Sequence, residues 1–485
     1  MTPPSSLGAS APSSTITPLC VDLDGTLVKS DTLHDSLLLL LCSRPSALPA
    51  VLRALFHGKA AFKSCITGAV TLDVKHLPYN RSLLEYLRAE HARGRSIYLA
   101  TGADIRLARR VADHLGIFAG VLGSDGGTNL TGRNKLETLR AHLPSGAFDY
   151  IGNDTPDLPL LAHSSKPMTA NPTLRLRLAL RAKRIRPAQA FHERTPLLPS
   201  LIKAARVHQW AKNALIFFPV LLSHDLHLPR LITAAIAFLS FSFAASATYI
   251  LNDLLDIEAD RRHRGKNARP FASGDLSPLH GFSLIAVFVV LSVIGARLVP
   301  PAFSLWLVLY VGTSLAYTGY LKRIPLVDVL VLAGLYTLRL LAGSAATFIP
   351  ISHWLAGFSF FLFLSLAIVK RFAELENLRA RSLEPRNRRG YFLTDLEQLR
   401  SFGTASAYAA VVIFAIYISE SDVTHLYRNA GRLWLVVPLM ILWLNRVWLL
   451  ASRGELDEDP VVFATTDRTS LLIGAAVLAI VLLAV

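Results

Sequence analysis

Residues 249–274 read YILNDLLDIEADRRHRGKNARPFASG, and their charges suit the chemistry of phosphate groups. Asp253, Asp256, Glu258 and Asp260 fall within eight residues, and Arg261, Arg262, Arg264, Lys266 and Arg269 follow at once. Residues 231–248, just upstream, carry no charge. On a helix, Asp253, Asp256 and Asp260 stand at i, i+3 and i+7 and share a face. Like charges so placed repel unless a cation bridges them, and Mg2+ both takes carboxylate oxygens and joins them to a diphosphate. The plain alternative is a solvated helix end. The cluster begins at the edge of an apolar span with Asn252 beside it, which favours a site.

A second set of chemical groups lies near the N-terminus. TPLCVDLDGTL (17–27) is a short apolar run that stops at Asp22 and carries Asp24 and Thr26 into a loop. SIYLATGAD (96–104) ends at Thr101, FDYIGNDTPDLPLL (148–161) ends at Asp154 and Asp157, and SDGGTNLTGRNK (124–135) ends at Lys135. Apolar runs of this length between loops predict buried strands. In an open α/β sheet, chemistry sits at the carboxyl ends of the strands. N-caps and turns explain any one of these endings, but not the set.

The elements that must hold these groups differ in kind along the 485 residues. Hydrophobic residues make up 52% of the chain, charged residues 17%, and mean hydropathy is +0.41. That balance predicts a protein partly in a membrane. Residues up to about 195 have the composition of a soluble α/β domain. Beyond them, apolar blocks near 199–222, 231–253, 280–299, 302–320, 325–347, 353–369, 402–420, 431–449 and 468–485 predict nine spans. Lys and Arg crowd the loops at 254–279, 321–324 and 370–401 (five, two and eight) on the side that also takes 450–467, whereas the opposite loops (223–230, 300–301, 348–352 and 421–430) hold only Arg230 and Arg428. By the positive-inside rule both candidate sites face the cytosol, and the net charge of +16 calls for no nucleic acid. Cys20, Cys42 and Cys65 have no metal-like spacing and predict reduced thiols. The expected domains are a disordered leader (1–17), an α/β domain (18–172), a basic linker helix on the membrane surface (173–197) and a membrane bundle (198–485).

DLDGT (22–26) resembles the DxDxT signature of the haloacid-dehalogenase-like phosphatases, over residues 18–172. The resemblance implies that Asp22 is the nucleophile and Asp24 the general acid/base. It implies that Thr101 and Lys135 hold phosphoryl oxygens, that Asp22, Asp24, Asp154 and Asp157 hold Mg2+, and that residues 28 to about 80 form a small helical cap. NDLLDIEAD (252–260) is similar to the NDxxDxxxD motif of the UbiA-type membrane prenyltransferases, which implies an all-α bundle of nine transmembrane helices. That likeness also implies Mg2+ at Asp253, Asp256 and Asp260. RVHQWAKN (206–213), DRRHRGKNARPFASG (260–274), YTGYLKRIPLVD (317–328) and KRFAEL (370–375) resemble the polyprenyl-phosphate phosphoribosyltransferase branch. Its substrates are phosphoribosyl diphosphate (PRPP) and a polyprenyl phosphate. The residues expected to bind them are Lys212, Asn252, Arg261, Arg262, Lys266, Arg269, Tyr317, Lys322, Asp328 and Lys370, with Asp253 and Asp256 catalytic.

Together these likenesses predict a two-site enzyme of a bacterial inner membrane, with both sites cytoplasmic. One half makes polyprenyl-phosphate 5-phosphoribose and the other removes the 5-phosphate. The alternatives are transfer of a prenyl group to an aromatic acceptor, and a transporter with a regulatory domain.

Overall fold

The computed structural model describes residues 17–143, 146–380, 389–456 and 460–485. The leader expected over 1–17 lies, save its last residue, outside them, as do Arg381, Arg386 and Arg388. Two compact units are present: residues 1–205 with 250–283, and residues 206–249 with 284–485.

The first unit is built on a six-stranded, all-parallel sheet of order β3-β2-β1-β4-β5-β6. Its strands are β1 (Leu19–Val21), β2 (Ile97–Asp104), β3 (Gly120–Ser124), β4 (Asp149–Gly152), β5 (Pro167–Ala170) and β6 (Gln189–Phe191). β1 is the central strand, buried on both faces, and this is why LCV is continuously apolar. Leu19 and Val21 enter the core on one face with Ile97, Leu99 and Ile151, while Cys20 enters the other with Ala100 and Tyr150. An insertion follows β1, made of α1 (Thr32–Ser43), α2 (Leu48–Leu55) and α3 (Lys59–Ala69). Its ends are tied by a bridge between Val28 and Tyr79, so residues 28–80 leave and return at one point. The helices α4 (Arg81–Ala92), α5 (Ile105–Leu115), α6 (Gly132–His142), α7 (Leu158–His163) and α8 (Leu174–Ala182) complete the layers.

The basic segment 173–197 is not a free linker. Leu176 and Leu180, at i and i+4, are buried in the same core as Tyr150, and β6 pairs with β5 through Ala170 and Phe191. The basic side chains occupy the outer face, and the inner leucine pair decides where α8 packs.

The first unit also contains residues 250–283. α11 (Leu228–Leu255) ends there, and the chain breaks at Asp256 (φ −97°, ψ 9°) before α12 (Ile257–Arg262). The three aspartates therefore do not lie on one uninterrupted helix, as the spacing predicted.

The second unit is helical. Seven helices of the described residues are long and apolar enough to cross a membrane. One is α11, and three more are α13 (Pro278–Arg297), α14 (Pro301–Gly319) and α15 (Val327–Thr347). The others are α16 (His353–Ala380), α17 (Leu396–Ser419) and α19 (Val436–Ser452), which is preceded by the short α18 (Ser421–Thr424). The last predicted span is the shorter α21 (Arg468–Ala484), after α20 (Pro460–Thr466). The first, 199–222, is divided into α9 (Leu197–Ala205), a 3-10 stretch over Val207–Phe217 and α10 (Phe218–Leu222). Arg206, in the left-handed region at φ +51°, makes the break. A Cβ at Gly343 of α15 would meet the Ile216 carbonyl oxygen at 2.3 Å, so only glycine lets the 3-10 stretch pack so closely.

Candidate functional site

The carboxyl edge of the sheet gathers the first set of groups. β1 delivers Asp22, and β4 delivers Asp154 and Asp157, to a pocket of about 330 Å³ that also takes Asp24, Lys135 and Asn153. Lys135 Nζ donates to Asp22 Oδ1 at 2.8 Å, to Tyr150 Oη at 3.0 Å and to Asp157 Oδ1 at 3.3 Å, all of them buried. The Tyr150 hydroxyl donates to the same Asp157 oxygen at 2.7 Å. Asp157 Oδ2 accepts from the Asn153 amide at 3.0 Å, which orients the turn after β4. Gly25 adopts φ +72°, and a Cβ there would lie 2.0 Å from Asn153 Nδ2. The DLDGT turn thus requires glycine at its fourth position.

Burial pushes Asp22 up to about 6 although Lys135 opposes it, and burial with the nearby Asp31 charge pushes Asp24 up to about 8. Burial alone would discharge Lys135, but Asp22 and Asp157 outweigh it and hold the ammonium above its ordinary range. Among the described residues, no three His, Cys, Asp or Glu side chains already converge as a metal-binding group. The carboxylates lining the pocket are nonetheless hard oxygen donors, and their mutual repulsion is what a divalent cation relieves. Asp22, Asp24 and Asp154 fit that role, with Asp157 partly engaged by Lys135. Lys135→Ala would leave two buried acids without their cation. The expected cost is about 3–5 kcal/mol, seen as a lower melting temperature of the α/β domain.

Thr101 is fully buried, its hydroxyl accepting from the Ala103 amide at 3.0 Å, and it is Gly102 that lines the pocket. Several lining residues carried no sequence signal. Lys63 arrives from α3 and donates to the Gly102 carbonyl at 2.7 Å and to Asn129 Oδ1 at 3.1 Å. Burial lowers its affinity for the proton. Lys29, Asp31 and Arg194 line the same pocket, as do Gly274, Asp275, Ser277 and His280. The last four come from the segment that follows the acid and base cluster.

That cluster is partly self-neutralised. Arg269 Nη1 bridges Asp253 Oδ1 at 3.0 Å and Asp260 Oδ2 at 2.7 Å, and both acids are 3% exposed. Asp256 stands at the helix break, and its amide donates to the backbone carbonyl of Asn252, one turn before it, at 3.0 Å. Two predicted phosphate ligands turn elsewhere. Arg261 forms a buried ion pair with Asp35 of α1 at 2.9 Å, and Arg262 pairs with Asp73 at 2.9 Å and Glu258 at 3.4 Å. Both tie the cluster to the α/β domain. Asp35→Ala strands the Arg261 guanidinium, and we expect about 3–5 kcal/mol of destabilisation, measured by thermal unfolding.

In the second unit, Asp328 is wholly buried and both its oxygens are taken. Arg371 Nε donates to Oδ2 at 2.6 Å and the Tyr391 hydroxyl to Oδ1. Arg371 also reaches Glu374 at 2.6 Å and Tyr317 Oη at 3.3 Å. Asp328 therefore holds Arg371 instead of meeting a substrate, while Tyr317, Lys322 and Lys370 remain partly exposed. Lys212 lies 5.9 Å from the centre of the Tyr336 ring. On the same ring, at 5.3 Å, sits Arg339, which the motifs did not single out. Its Nε donates to Asn213 Oδ1 at 2.8 Å, and it is 4% exposed among Phe241, Tyr310 and Tyr336. An apolar cavity of about 480 Å³ opens in this unit between Leu215, Phe358, Phe414, Trp443 and Val477.

Residues 214–470 match the model of the UbiA prenyltransferase family. The chain belongs to that family. A UbiA-family helical bundle, with seven apolar helices among the described residues, makes it a multi-pass membrane protein. Among its relatives is the uncharacterized protein y4nM of Sinorhizobium fredii, 37% identical over 95% of this chain and 89% of that one. The nodulation protein NoeC of Azorhizobium caulinodans is 35% identical over 56% of this chain and 88% of its own length. The decaprenyl-phosphate phosphoribosyltransferase of Mycobacterium tuberculosis is 32% identical over 59% of this chain and 94% of its own. The y4nM match runs over both halves, so the α/β domain and the UbiA bundle occur together in a second protein. For a UbiA-family bundle, an arginine buried inside a spanning helix is a functional signal in itself. Arg339→Met is expected to release Asn213 and with it the 3-10 stretch carrying Lys212. The loss in transfer rate should be on the order of 10²-fold, since small displacements of positioning groups have that cost.

Proposed function

We propose that the chain is a two-site enzyme of a bacterial inner membrane, working on its cytoplasmic side. The UbiA-type half transfers 5-phosphoribose from PRPP to a polyprenyl phosphate, and the α/β half, acting as a haloacid-dehalogenase-like phosphatase, removes the 5-phosphate. One observation carries the link between the halves. The phosphatase pocket is walled in part by Gly274, Asp275, Ser277 and His280, which follow directly on the diphosphate-binding cluster. Similarity to the decaprenyl-phosphate phosphoribosyltransferases supports the donor and acceptor.

In the transfer step, Asp253 and Asp256 hold the PRPP diphosphate, with Asn252 and Asp260 in support. Arg269 is a cation already beside two of these acids. Diphosphate leaves ribose C1 as charge builds on its oxygens, and the acceptor phosphate oxygen attacks C1, so no protein nucleophile is required. Lys212, Tyr317, Lys322 and Lys370 keep their proposed roles at the phosphates. In the second step, an Asp22 carboxylate oxygen attacks phosphorus and the ribose oxygen leaves with a proton from Asp24; water then cleaves the acyl phosphate. Lys135 offsets the repulsion between Asp22 and the incoming dianion. Bound Mg2+ supplies further neutralisation of phosphate charge at both sites.

The full occupation of Asp328 by Arg371 and Tyr391 supports PRPP over a prenyl diphosphate, because no second free acidic motif remains at that position. Purified protein in lipid is therefore expected to consume labelled PRPP in the presence of polyprenyl phosphate and to leave geranyl diphosphate intact. Consumption of the prenyl diphosphate alone would assign the aromatic-acceptor chemistry instead.

A further inference from the structure

α1 and α2 are together as apolar as a membrane span, yet they are bent by 113° at Arg44 and cannot cross as one rod. One side of the pair is accounted for: Leu40 and Val51 are buried against Ile66 of α3. The other side is not. Leu41, Leu52 and Leu55 are 39–50% exposed and Phe56 is 91% exposed. Arg44, Arg53, His57 and Lys59 are exposed among them, and residues 36–72 contain no Asp or Glu. An apolar surface on a segment whose own charges are all basic matches an anionic lipid surface, in which apolar side chains enter the acyl boundary and cations meet headgroups.

The position of the hairpin points the same way. Leu38, Leu39 and Cys42 of α1 share one small cavity with Leu254 and Leu255, the last residues of α11. The Cys42 thiol lies 3.9 Å from the Leu255 carbonyl oxygen. α11 is a helix long and apolar enough to cross a membrane, and after Arg230 near its start the next charge is Asp253. The root of the hairpin therefore lies against the charged end of α11.

We propose that the α1–α2 hairpin is a monotopic membrane anchor, with Leu52, Leu55 and Phe56 seated in the headgroup and acyl boundary of an anionic leaflet. This is independent of which reaction either site performs. It gives the three-helix insertion two working sides, since Lys63 of α3 reaches into the phosphate pocket while α2 meets lipid.

The test uses nitroxide labels on the full-length protein in vesicles of phosphatidylethanolamine and phosphatidylglycerol. Leu52→Cys and Phe56→Cys are labelled in a Cys42→Ser, Cys65→Ser background, with Arg140→Cys on the exposed side of α6 as the aqueous reference. Accessibility to oxygen relative to a water-soluble nickel chelate should rise several-fold at 52 and 56 over 140, at a depth of roughly 5–10 Å. Labels at 52 and 56 matching the label at 140 would overturn the proposal. So would labels shielded from both reagents, which would mean a protein partner or a second copy on this face.

Discussion

Replacing Asp253 by alanine should abolish transfer, with the rate of PRPP consumption falling on the order of 10³-fold or more. The carboxylate is 3% exposed, one oxygen is held by Arg269 at 3.0 Å, and it stands where α11 passes from apolar residues into the charged cluster. Changes to groups that merely support a metal ligand already cost roughly 10–100-fold, so loss of a ligand itself should exceed that. Arg269 keeps Asp260 at 2.7 Å, so the variant should fold. The α/β domain's hydrolysis of a small soluble phosphate ester should be unchanged. Initial rates with labelled PRPP and with p-nitrophenyl phosphate separate the two outcomes. A retained transfer rate would remove the cluster from the donor site.

Asp22→Asn is expected to have the larger effect on the other half, a loss in phosphatase rate on the order of 10⁴-fold or more, as for removal of a covalent nucleophile. Asparagine preserves the shape at the end of β1, and Lys135 keeps Asp157 and Tyr150 as partners, so the sheet edge stays intact. Transfer in the membrane half should proceed at the unmodified rate. A variant that still hydrolyses phosphate esters would show that some other group attacks phosphorus.

Where the chemistry is written locally, it was legible. DLDGT sits at the end of a three-residue strand, so the strand, the turn and the two acids occupy one short stretch that can be read without knowing the rest of the fold. The same holds for the charge-free run before Asp253. What could not be read is what distant segments bring. Asp35 lies in an insertion after β1, and nothing in its neighbourhood indicates that it neutralises Arg261. Lys63, Arg194 and the 274–280 segment enter the pocket at the carboxyl edge of the sheet only through tertiary packing. The motifs mark Asp328 as a substrate ligand, and they do not show that Arg371 and Tyr391, from two other segments, sit on its oxygens. The basic stretch 173–197 misled for a different reason, because its many arginines drew attention away from the leucine pair that packs α8. Arg339 was within reach, since a lone arginine inside the apolar block 325–347 is a signal that residue types alone provide.

Sequential action of the two halves is tested most directly by mass spectrometry of the lipid made by membranes given PRPP and polyprenyl phosphate. The wild-type protein should yield polyprenyl-phospho-ribose, and the Asp22→Asn protein should accumulate the same lipid still carrying its 5-phosphate. Identical products from the two proteins would contradict the coupling of transfer to dephosphorylation.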